Sequence, residues 1–241
     1  MELFLDSTVE AARLLFGADP YVREVLWLSL RVSGAAVAVG LAIGLPIGIG
    51  IGLTRFPGRR FVVALVHTGF ALPPVVVGLF VYMMLSRAGP AGSFRMLFTP
   101  SAMVLAQALL AAPYIAGITL AAVQAVPADV RLQARGLGAT GWRAVLAHVR
   151  EARLGVVAAI IAGFGAVISE VGAVLLVGGN IRGETRVMTT AIVLETRRGN
   201  FAVAIALGIL LLAAAFAVNL LLTSVQQGRP GWRTTGPGHT S

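Results

Sequence analysis

The sequence predicts an all-α membrane protein with about five transmembrane helices. Hydrophobic residues make up 57% of the 241 residues, charged residues only 12%, and the mean hydropathy is +0.88. About a quarter of the residues of a soluble domain are charged, so this composition is typical of a membrane protein. Five apolar segments are each long enough to cross the hydrocarbon core of a bilayer, which takes about 20 residues.

The five predicted spans lie within a transmembrane domain of residues 24–223. They are residues 26–53, 61–85, 101–126, 154–178 and 201–223. Asp19 and Pro20 suit the N-cap and the first position of the first helix. Further along this span, glycines recur every fourth residue at positions 40, 44, 48 and 52. They form one face of small residues, on which a second helix can pack closely.

The arginines outside the spans predict the orientation of the chain. The loops after the first and third spans and the C-terminal tail hold ten arginines, against eight on the other side. The positive-inside rule therefore favours an N-terminus outside and a C-terminus in the cytoplasm. Residues 1–23 are expected to form an external segment, in which the capping box "STVE" (7–10) begins a short helix. The polar residues 224–241 are predicted to be a disordered cytoplasmic tail.

The charge and composition exclude several classes of function. The formal net charge is +9 and every basic residue is an arginine, but these arginines sit in short loops, so we expect no nucleic-acid binding. The chain has no cysteine, which excludes disulfides and cysteine-based metal sites. The spans hold no Ser/His or Asp/Asp pair at catalytic spacing, and we predict no catalytic residue and no metal site.

The loop between the third and fourth spans, residues 127–153, is longer than a connection requires. It predicts two short helices on either side of a glycine turn: one over residues 132–137, and one capped by Thr140. The second places Trp142, Leu146 and Val149 on one face. This segment is either an amphipathic loop at the membrane interface or a docking surface for a partner protein.

Glu170 is the only charged residue in the fourth predicted span. We expect it to be structural or gating, hydrogen-bonded to backbone or paired with an arginine such as Arg186. The Pro73–Pro74 pair predicts a bend in the second span. After the fourth span, Arg186 and the hydroxyls of Thr185, Thr189 and Thr190 offer donors suited to an oxyanion; the alternative is that the arginines meet lipid phosphates or acids of a partner. Glu195 and Arg198 are spaced so that they can form an ion pair. Gly199 is expected to end the helix that carries them.

Two stretches of the sequence resemble a known family. The loop "LQARGLGATGWRAVLAHVREARLG" is similar to the cytoplasmic loop of permease subunits of type I ABC importers, which have a MetI-like fold. Leu132, Gln133 and Ala134 stand at the family's Glu-Ala-Ala positions and Gly138 at its glycine, whereas Arg150 and Glu151 replace its Leu-Pro. Residues 169–212, with "LPPVVVGL" (72–79), resemble the tungstate-importer branch of this family.

The resemblance implies how such a protein works. Two copies of the chain would form the pore, two ATPase subunits would use ATP and Mg²⁺, and an extracytoplasmic tungstate-binding protein would deliver the anion. The chain itself would be a multi-pass protein in the lipid bilayer of the bacterial cytoplasmic (inner) membrane. It would bind no cofactor and would not be an enzyme, in agreement with the lack of a GxxxxGK[ST] motif. The residues expected to contact the ATPase are Leu132, Gln133, Ala134, Gly138, Ala139 and Trp142.

The residues assigned to the gate or the pathway lie in the second span and around the end of the fourth. They are Pro73, Pro74, Ser169, Glu170, Asn180, Thr185, Arg186, Thr189 and Thr190. Molybdate and sulfate stay open as alternative substrates, because both are tetrahedral dianions like tungstate. An integral membrane enzyme and an ATP-independent channel are the alternatives from other classes, and the long loop of residues 127–153 argues against a channel.

Overall fold

The computed structural model describes residues 19–127 and 129–227, together with residues 9, 13 and 17. Within these residues the chain forms ten α-helices, two short 3₁₀ turns at Gly69–Ala71 and Gly92–Phe94, and no strand. The helices are α1 (Pro20–Leu53), α2 (Arg59–Thr68), α3 (Pro74–Leu85), α4 (Pro100–Ala125), α5 (Asp129–Gly136), α6 (Gly141–Glu151), α7 (Arg153–Ile168), α8 (Gly172–Gly178), α9 (Met188–Arg197) and α10 (Phe201–Gln227). The predicted all-α fold is confirmed.

Three helices of the described chain are long and apolar enough to cross a membrane alone: α1, α4 and residues Phe201–Ser224 of α10. Two bent pairs pass the same test together. These are α2 with α3, which meet at 98°, and α6 with α7, which meet at 63°. If each bent pair counts as one span, the number of candidate spans rises to five, the number predicted from the sequence.

Two predicted spans are not the single helices that the sequence suggested. The second span bends sharply at Leu72 and Pro73, both in extended conformation with ψ of 121° and 119°. Proline lacks an N–H group and disfavours helix in the residue before it, so the Pro73–Pro74 pair separates α2 from α3. The predicted span 154–178 is interrupted at residues 169–171, between α7 and α8.

The glycine face of α1 packs against α4, as predicted. A Cβ atom added at Gly44 would lie 2.6 Å from the carbonyl oxygen of Ala112. One added at Gly40 would lie 2.9 Å from the Cβ of Ala111. Only glycine permits this approach of two backbones, and it makes α4 the helix around which α1, α7 and α8 gather.

The structure agrees with the sequence prediction at the start of α1 and differs from it at the end of α10. Asp19 caps α1 as expected, because its Oδ1 accepts hydrogen bonds from the N–H groups of Tyr21 (2.8 Å) and Val22 (3.2 Å). At the other end α10 continues to Gln227, so residues 224–227, assigned to a disordered tail, are helical. The predicted N-terminal helix of residues 7–16 and the rest of the tail lie outside the described residues, apart from Val9 and Arg13.

The close contact between α1 and α4 predicts opposite effects for two glycines of α1. We expect Gly44→Ala to destabilise the protein by about 1–3 kcal/mol, because the new methyl group would overlap the Ala112 carbonyl. Gly50→Ala is the matched control, since nothing lies within 4 Å of a Cβ at that position. It should leave stability unchanged or raise it slightly, because alanine favours the helix. Thermal unfolding midpoints in detergent measure both, and equal midpoints for the two variants would contradict the packing.

Candidate functional site

The break between α7 and α8 is the centre of the candidate site. Glu170 lies in this break and is buried. Its Oε1 accepts a hydrogen bond of 2.9 Å from the N–H of Ala173, in the first turn of α8. The first N–H groups of a helix have no partner within that helix, so the carboxylate serves as an N-terminal acceptor for α8. A hydrogen bond to backbone was one of the two arrangements that the sequence analysis predicted for Glu170.

Two side chains from other helices bind the carbonyl groups at the break. Gln107 of α4 donates from Nε2 to the carbonyl oxygen of Val167 at 2.9 Å. Thr189 of α9 donates from its hydroxyl to the carbonyl oxygen of Glu170 at 2.8 Å. All of these residues are buried, so α4, α9 and the break are joined by hydrogen bonds out of contact with solvent. The sequence analysis did not connect Gln107 to this site.

Arg186 does not pair with Glu170, so that predicted alternative is wrong. Its guanidinium instead donates to Asn180, from Nε to Oδ1 at 3.2 Å and from a terminal nitrogen to the backbone carbonyl at 3.2 Å. A third contact reaches the hydroxyl of Tyr21 at 3.5 Å. Asn180 and the preceding Gly179 both have positive φ, 53° and 71°. Arg186 therefore stabilises the strained turn that follows α8.

The three threonines of this region bind backbone rather than offering free donors. Thr185 donates its hydroxyl proton to the carbonyl of Gly178 at 2.6 Å. Thr190 donates to the carbonyl of Val187 at 3.0 Å, and Thr189 to Glu170 as described. A hydroxyl has one proton, so none of the three can also donate to an oxyanion in this conformation. The prediction that these hydroxyls present donors to an anion is therefore not met in this arrangement.

The bend of the second span and the break of the fourth lie side by side. A Cβ atom at Gly172, just after the break, would lie 2.6 Å from a methyl carbon of Val75, just after Pro73–Pro74. Both prolines and Ser169 are exposed, and the hydroxyl of Ser169 donates to the carbonyl of Gly165 at 3.0 Å. The structure thus brings together four of the predicted gate residues: Pro73, Pro74, Ser169 and Glu170.

A cavity of about 340 Å³ lies beside the turn after α8, between the start of α1, α9 and the start of α10. Its lining carries both signs of charge, from Asp19, Glu195, Arg182, Arg186 and Arg198. The predicted pair of Glu195 and Arg198 is confirmed at 3.3 Å, and the second oxygen of Glu195 accepts from Asn200 at 2.7 Å. Gly199 follows α9 with a φ of 78°, as its predicted role in ending the helix requires.

The α5–α6 segment presents apolar side chains at the far end of α4 from this cavity. Leu132, Leu137 and Trp142 are 62%, 90% and 66% exposed. The turn between the helices is closed by hydrogen bonds from Gly138 to the carbonyl of Arg135 (2.9 Å) and from Ala139 to that of Ala134 (2.9 Å). Gly138 has a φ of +85°, which favours glycine. Gln133 is exposed, and Ala134 and Ala139 are half-buried.

Several details of this segment were not part of the sequence prediction or differ from it. Thr140 makes no side-chain capping bond, and the residues that α6 buries are Ala144 and His148, whereas the predicted face of Trp142, Leu146 and Val149 is exposed or half-buried. Trp142 is exposed, with the Arg143 guanidinium 5.9 Å from its ring centre. Leu137, which is exposed between Gly136 and Gly138, was not among the residues predicted for this surface.

A metal-binding arrangement is not found in the part of the chain that the structure describes. No group of three or more His, Cys, Asp or Glu side chains comes together there. The acidic side chains at the site, Glu170 and Glu195, are each occupied by the hydrogen bonds given above. The described geometry is therefore that of a packed helical junction with a hinge-like break.

Comparison with known proteins shows the family of the chain. The model of the "binding-protein-dependent transport system inner membrane component" matches residues 44–229. A probable anion ABC transporter permease protein of Haloferax volcanii is 47% identical over 88% of this chain and 93% of its own length. The tungstate uptake system permease protein TupB of Peptoclostridium acidaminophilum is 37% identical over 94% of this chain and 100% of its own.

More distant relatives and a solved structure agree with this placement. The sulfate and molybdenum transport system permease proteins of Escherichia coli are 29% and 30% identical over 70% and 72% of this chain, and 60% and 79% of their own lengths. A solved inward-facing structure of the MetNI methionine ABC transporter shares the fold, with a TM-score of 0.68 and 20% identity, covering 86% of this chain and 95% of the matched one. The chain belongs to the family of binding-protein-dependent transport system inner membrane components, the multi-pass permease subunits of ABC transporters.

Proposed function

We propose that this chain is the permease subunit of an ATP-driven importer that carries tungstate across the cytoplasmic membrane. The observation that carries the proposal is the 37% identity, over 94% of this chain, to a permease named for tungstate uptake. The Escherichia coli permeases named for sulfate and molybdenum transport match less of the chain, at 29–30% identity. Tungstate, molybdate and sulfate share tetrahedral geometry and charge, so molybdate or sulfate is the second candidate.

The assembly that we propose contains two copies of this chain, two separate ATPase subunits that use ATP and Mg²⁺, and an extracytoplasmic tungstate-binding protein. The exposed Leu132, Leu137 and Trp142 support an ATPase contact through α5 and α6, because exposed apolar residues that cluster on one segment are typical of a protein interface. In this arrangement α5 and α6 face the cytoplasm, as do the ends of α1 and α4 next to them. The N-terminus lies outside.

The pathway that we propose runs along the exposed side of the break, where Ser169, Pro73 and Pro74 lie. Glu170 is buried, and its carboxylate accepts from the N–H of Ala173 instead of lining this exposed side. The break and the proline bend each interrupt the helical hydrogen bonds of a span. Opening and closing of the gate at these places needs no loss of hydrogen bonds within a continuous helix.

The two other classes of function fit the geometry less well. An integral membrane enzyme needs reactive groups available to substrate, whereas Glu170, Thr185, Thr189 and Thr190 are engaged with backbone groups. A channel that works without ATP gives no role to the exposed apolar surface of α5 and α6. Transport coupled to a partner ATPase accounts for both features.

Reconstitution tests the proposal directly. Proteoliposomes that hold this chain and its ATPase, with ATP inside and the binding protein outside, are expected to accumulate tungstate. Omitting ATP, or this chain, should abolish accumulation, which elemental analysis of the washed vesicles measures. Uptake that is independent of either component would contradict the proposal, and a preference for molybdate or sulfate under competition would assign the substrate to that anion.

Substitutions of Glu170 separate its hydrogen bond from its charge. We expect Glu170→Ala to lower stability by about 1–3 kcal/mol, because the buried N–H of Ala173 loses its acceptor. Glu170→Gln keeps a side-chain oxygen and should retain both the thermal midpoint and most of the uptake. Glu184→Ala, at an exposed acid in the following turn, is the control and should leave both unchanged. Loss of uptake by Glu170→Gln at an unchanged midpoint would show instead that the charge itself acts in transport.

A substitution of Leu137 tests the proposed contact between the α5–α6 segment and the ATPase. We expect Leu137→Asp to weaken binding of the ATPase by at least about tenfold, because a charge at the centre of an apolar contact must be desolvated. The thermal midpoint of the isolated chain should not change, since Leu137 is 90% exposed. Phe94→Asp, which places the same charge on a 71% exposed residue at the other end of α4, is the matched control. Co-purification of the ATPase measures the effect, and equal recovery with both variants would refute this surface.

A further inference from the structure

A second cavity, of about 520 Å³, lies at the α5–α6 end of the bundle. Its wall is built from the end of α1 and the loop after it, the start of α2, the end of α4, and one residue each from α5 and α6. Along α4 the residue Val123, in this wall, is sixteen residues from Gln107 at the break, or about 24 Å at the helical rise. This cavity is therefore separate from the gate region.

The charged residues of the cavity wall are all basic. Arg55, Arg59 and Arg131 line it, and no Asp or Glu does. The cavity beside Glu195 and a smaller one beside Glu151 each include a carboxylate, so the absence of acid is a property of this cavity. None of the three arginines forms an ion pair within residues 19–127 and 129–227.

Two basic side chains of the wall satisfy carbonyl groups at helix ends. Arg59 donates from Nε to the carbonyl oxygen of Ile51 at 3.1 Å. Nε2 of His148 lies 2.9 Å from the carbonyl oxygen of Val123; a carbonyl only accepts, so this nitrogen donates. The other ring nitrogen of His148, which is 3% exposed, has no partner among the described residues.

The partial charges at the helix ends do not balance the positive charge of three guanidinium groups in the wall of this cavity. The C-terminal ends of α1 and α4 each contribute about half a negative charge, and the N-terminal ends of α2 and α5 about half a positive charge each. These four contributions roughly cancel, since all four ends meet at the cavity. The charges of Arg55, Arg59 and Arg131 remain uncompensated, and Nε of Arg59 is fixed on Ile51 while its terminal nitrogens have no described partner.

We propose that this cavity binds a tetrahedral oxyanion of the phosphate or sulfate type, held chiefly by Arg59 and Arg131. Both side chains are half-buried, whereas Arg55 is exposed and adds charge. Guanidinium groups match the oxygens of such anions with charge-assisted hydrogen bonds. The cavity has room for a free hydrated anion or for the phosphate of a lipid headgroup. This inference does not depend on which anion the permease transports.

Binding of radiolabelled sulfate to the full chain in neutral detergent at low salt tests the proposal. Equilibrium dialysis should show one saturable site per chain. Arg59→Gln and Arg131→Gln should each weaken it on the order of tenfold or more, because each removes charge-assisted hydrogen bonds. Arg60→Gln is the matched control: Arg60 is the next residue on α2, is exposed and does not line the cavity. Unchanged thermal midpoints confirm that the variants fold. Such a midpoint is expected for Arg131→Gln because Arg131 lies outside the long spans.

Reconstitution into nanodiscs distinguishes the two sources of the anion. A free-anion site binds sulfate equally in discs of neutral phosphatidylcholine and in discs that contain phosphatidylglycerol. A headgroup site retains phosphatidylglycerol in native mass spectra of the wild type and Arg60→Gln but not of Arg59→Gln or Arg131→Gln; sulfate then binds only when this lipid is absent. Either result supports the proposal.

Three results would overturn it. The first is neither saturable sulfate binding nor retained phosphatidylglycerol in the wild type. The second is equal binding by the wild type, Arg59→Gln and Arg131→Gln. The third is a loss of ATPase assembly in these two variants with anion binding intact, which would assign the arginines to carboxylates of a protein partner.

Discussion

The need to satisfy backbone carbonyl groups inside a membrane determines the arrangement of the candidate site. When a helix is interrupted within the hydrocarbon core, no water is present to bind the carbonyl and N–H groups that the interruption frees. The break between α7 and α8 frees such groups at Glu170 and Ala173, and it leaves the carbonyl of Val167 with a 3.2 Å bond from the N–H of Glu170. Thr189 and the carboxylate of Glu170 supply the missing partners, and Gln107 adds a second donor to Val167. The break is stable because these three side chains are in place.

Those partners reach the break only because α1, α4 and α7 pack closely. The glycine face of α1 allows the backbone of α4 to approach, and a Cβ atom added at Gly163 of α7 would lie 2.9 Å from Ile115 of α4. Gln107 is therefore held near Val167 by contacts along the length of α4. At the same end, the hydroxyl of Ser29 on α1 accepts a 2.7 Å hydrogen bond from the N–H of Met188, which fixes the start of α9 and with it Thr189.

Most features that depend on neighbouring residues could be predicted from the sequence, although the Thr140 cap was wrong, and features that depend on distant residues could not. The Asp19 cap, the glycine face and the pair of Glu195 and Arg198 follow from spacing of four residues or fewer, and the structure has all three. The break at residues 169–171 contains no proline, and its stabilising partner Gln107 is 60 residues from Val167 in the chain. The buried face of α6 was also missed, because His148 is directed inward by the carbonyl of Val123, which no local pattern reveals.

The break and the proline bend are mechanically connected. Beyond the contact of Gly172 with Val75, a Cβ atom at Gly78 of α3 would lie 2.6 Å from the Cα of Ala173. Ala173 is the residue whose N–H binds Glu170. Since two backbones in such close contact cannot slide independently, a rotation of α3 about Pro73–Pro74 displaces α8 and strains the hydrogen bond to Glu170. The same small residues that close the junction therefore couple the two interruptions, as the proposed gate at the break and the bend would require.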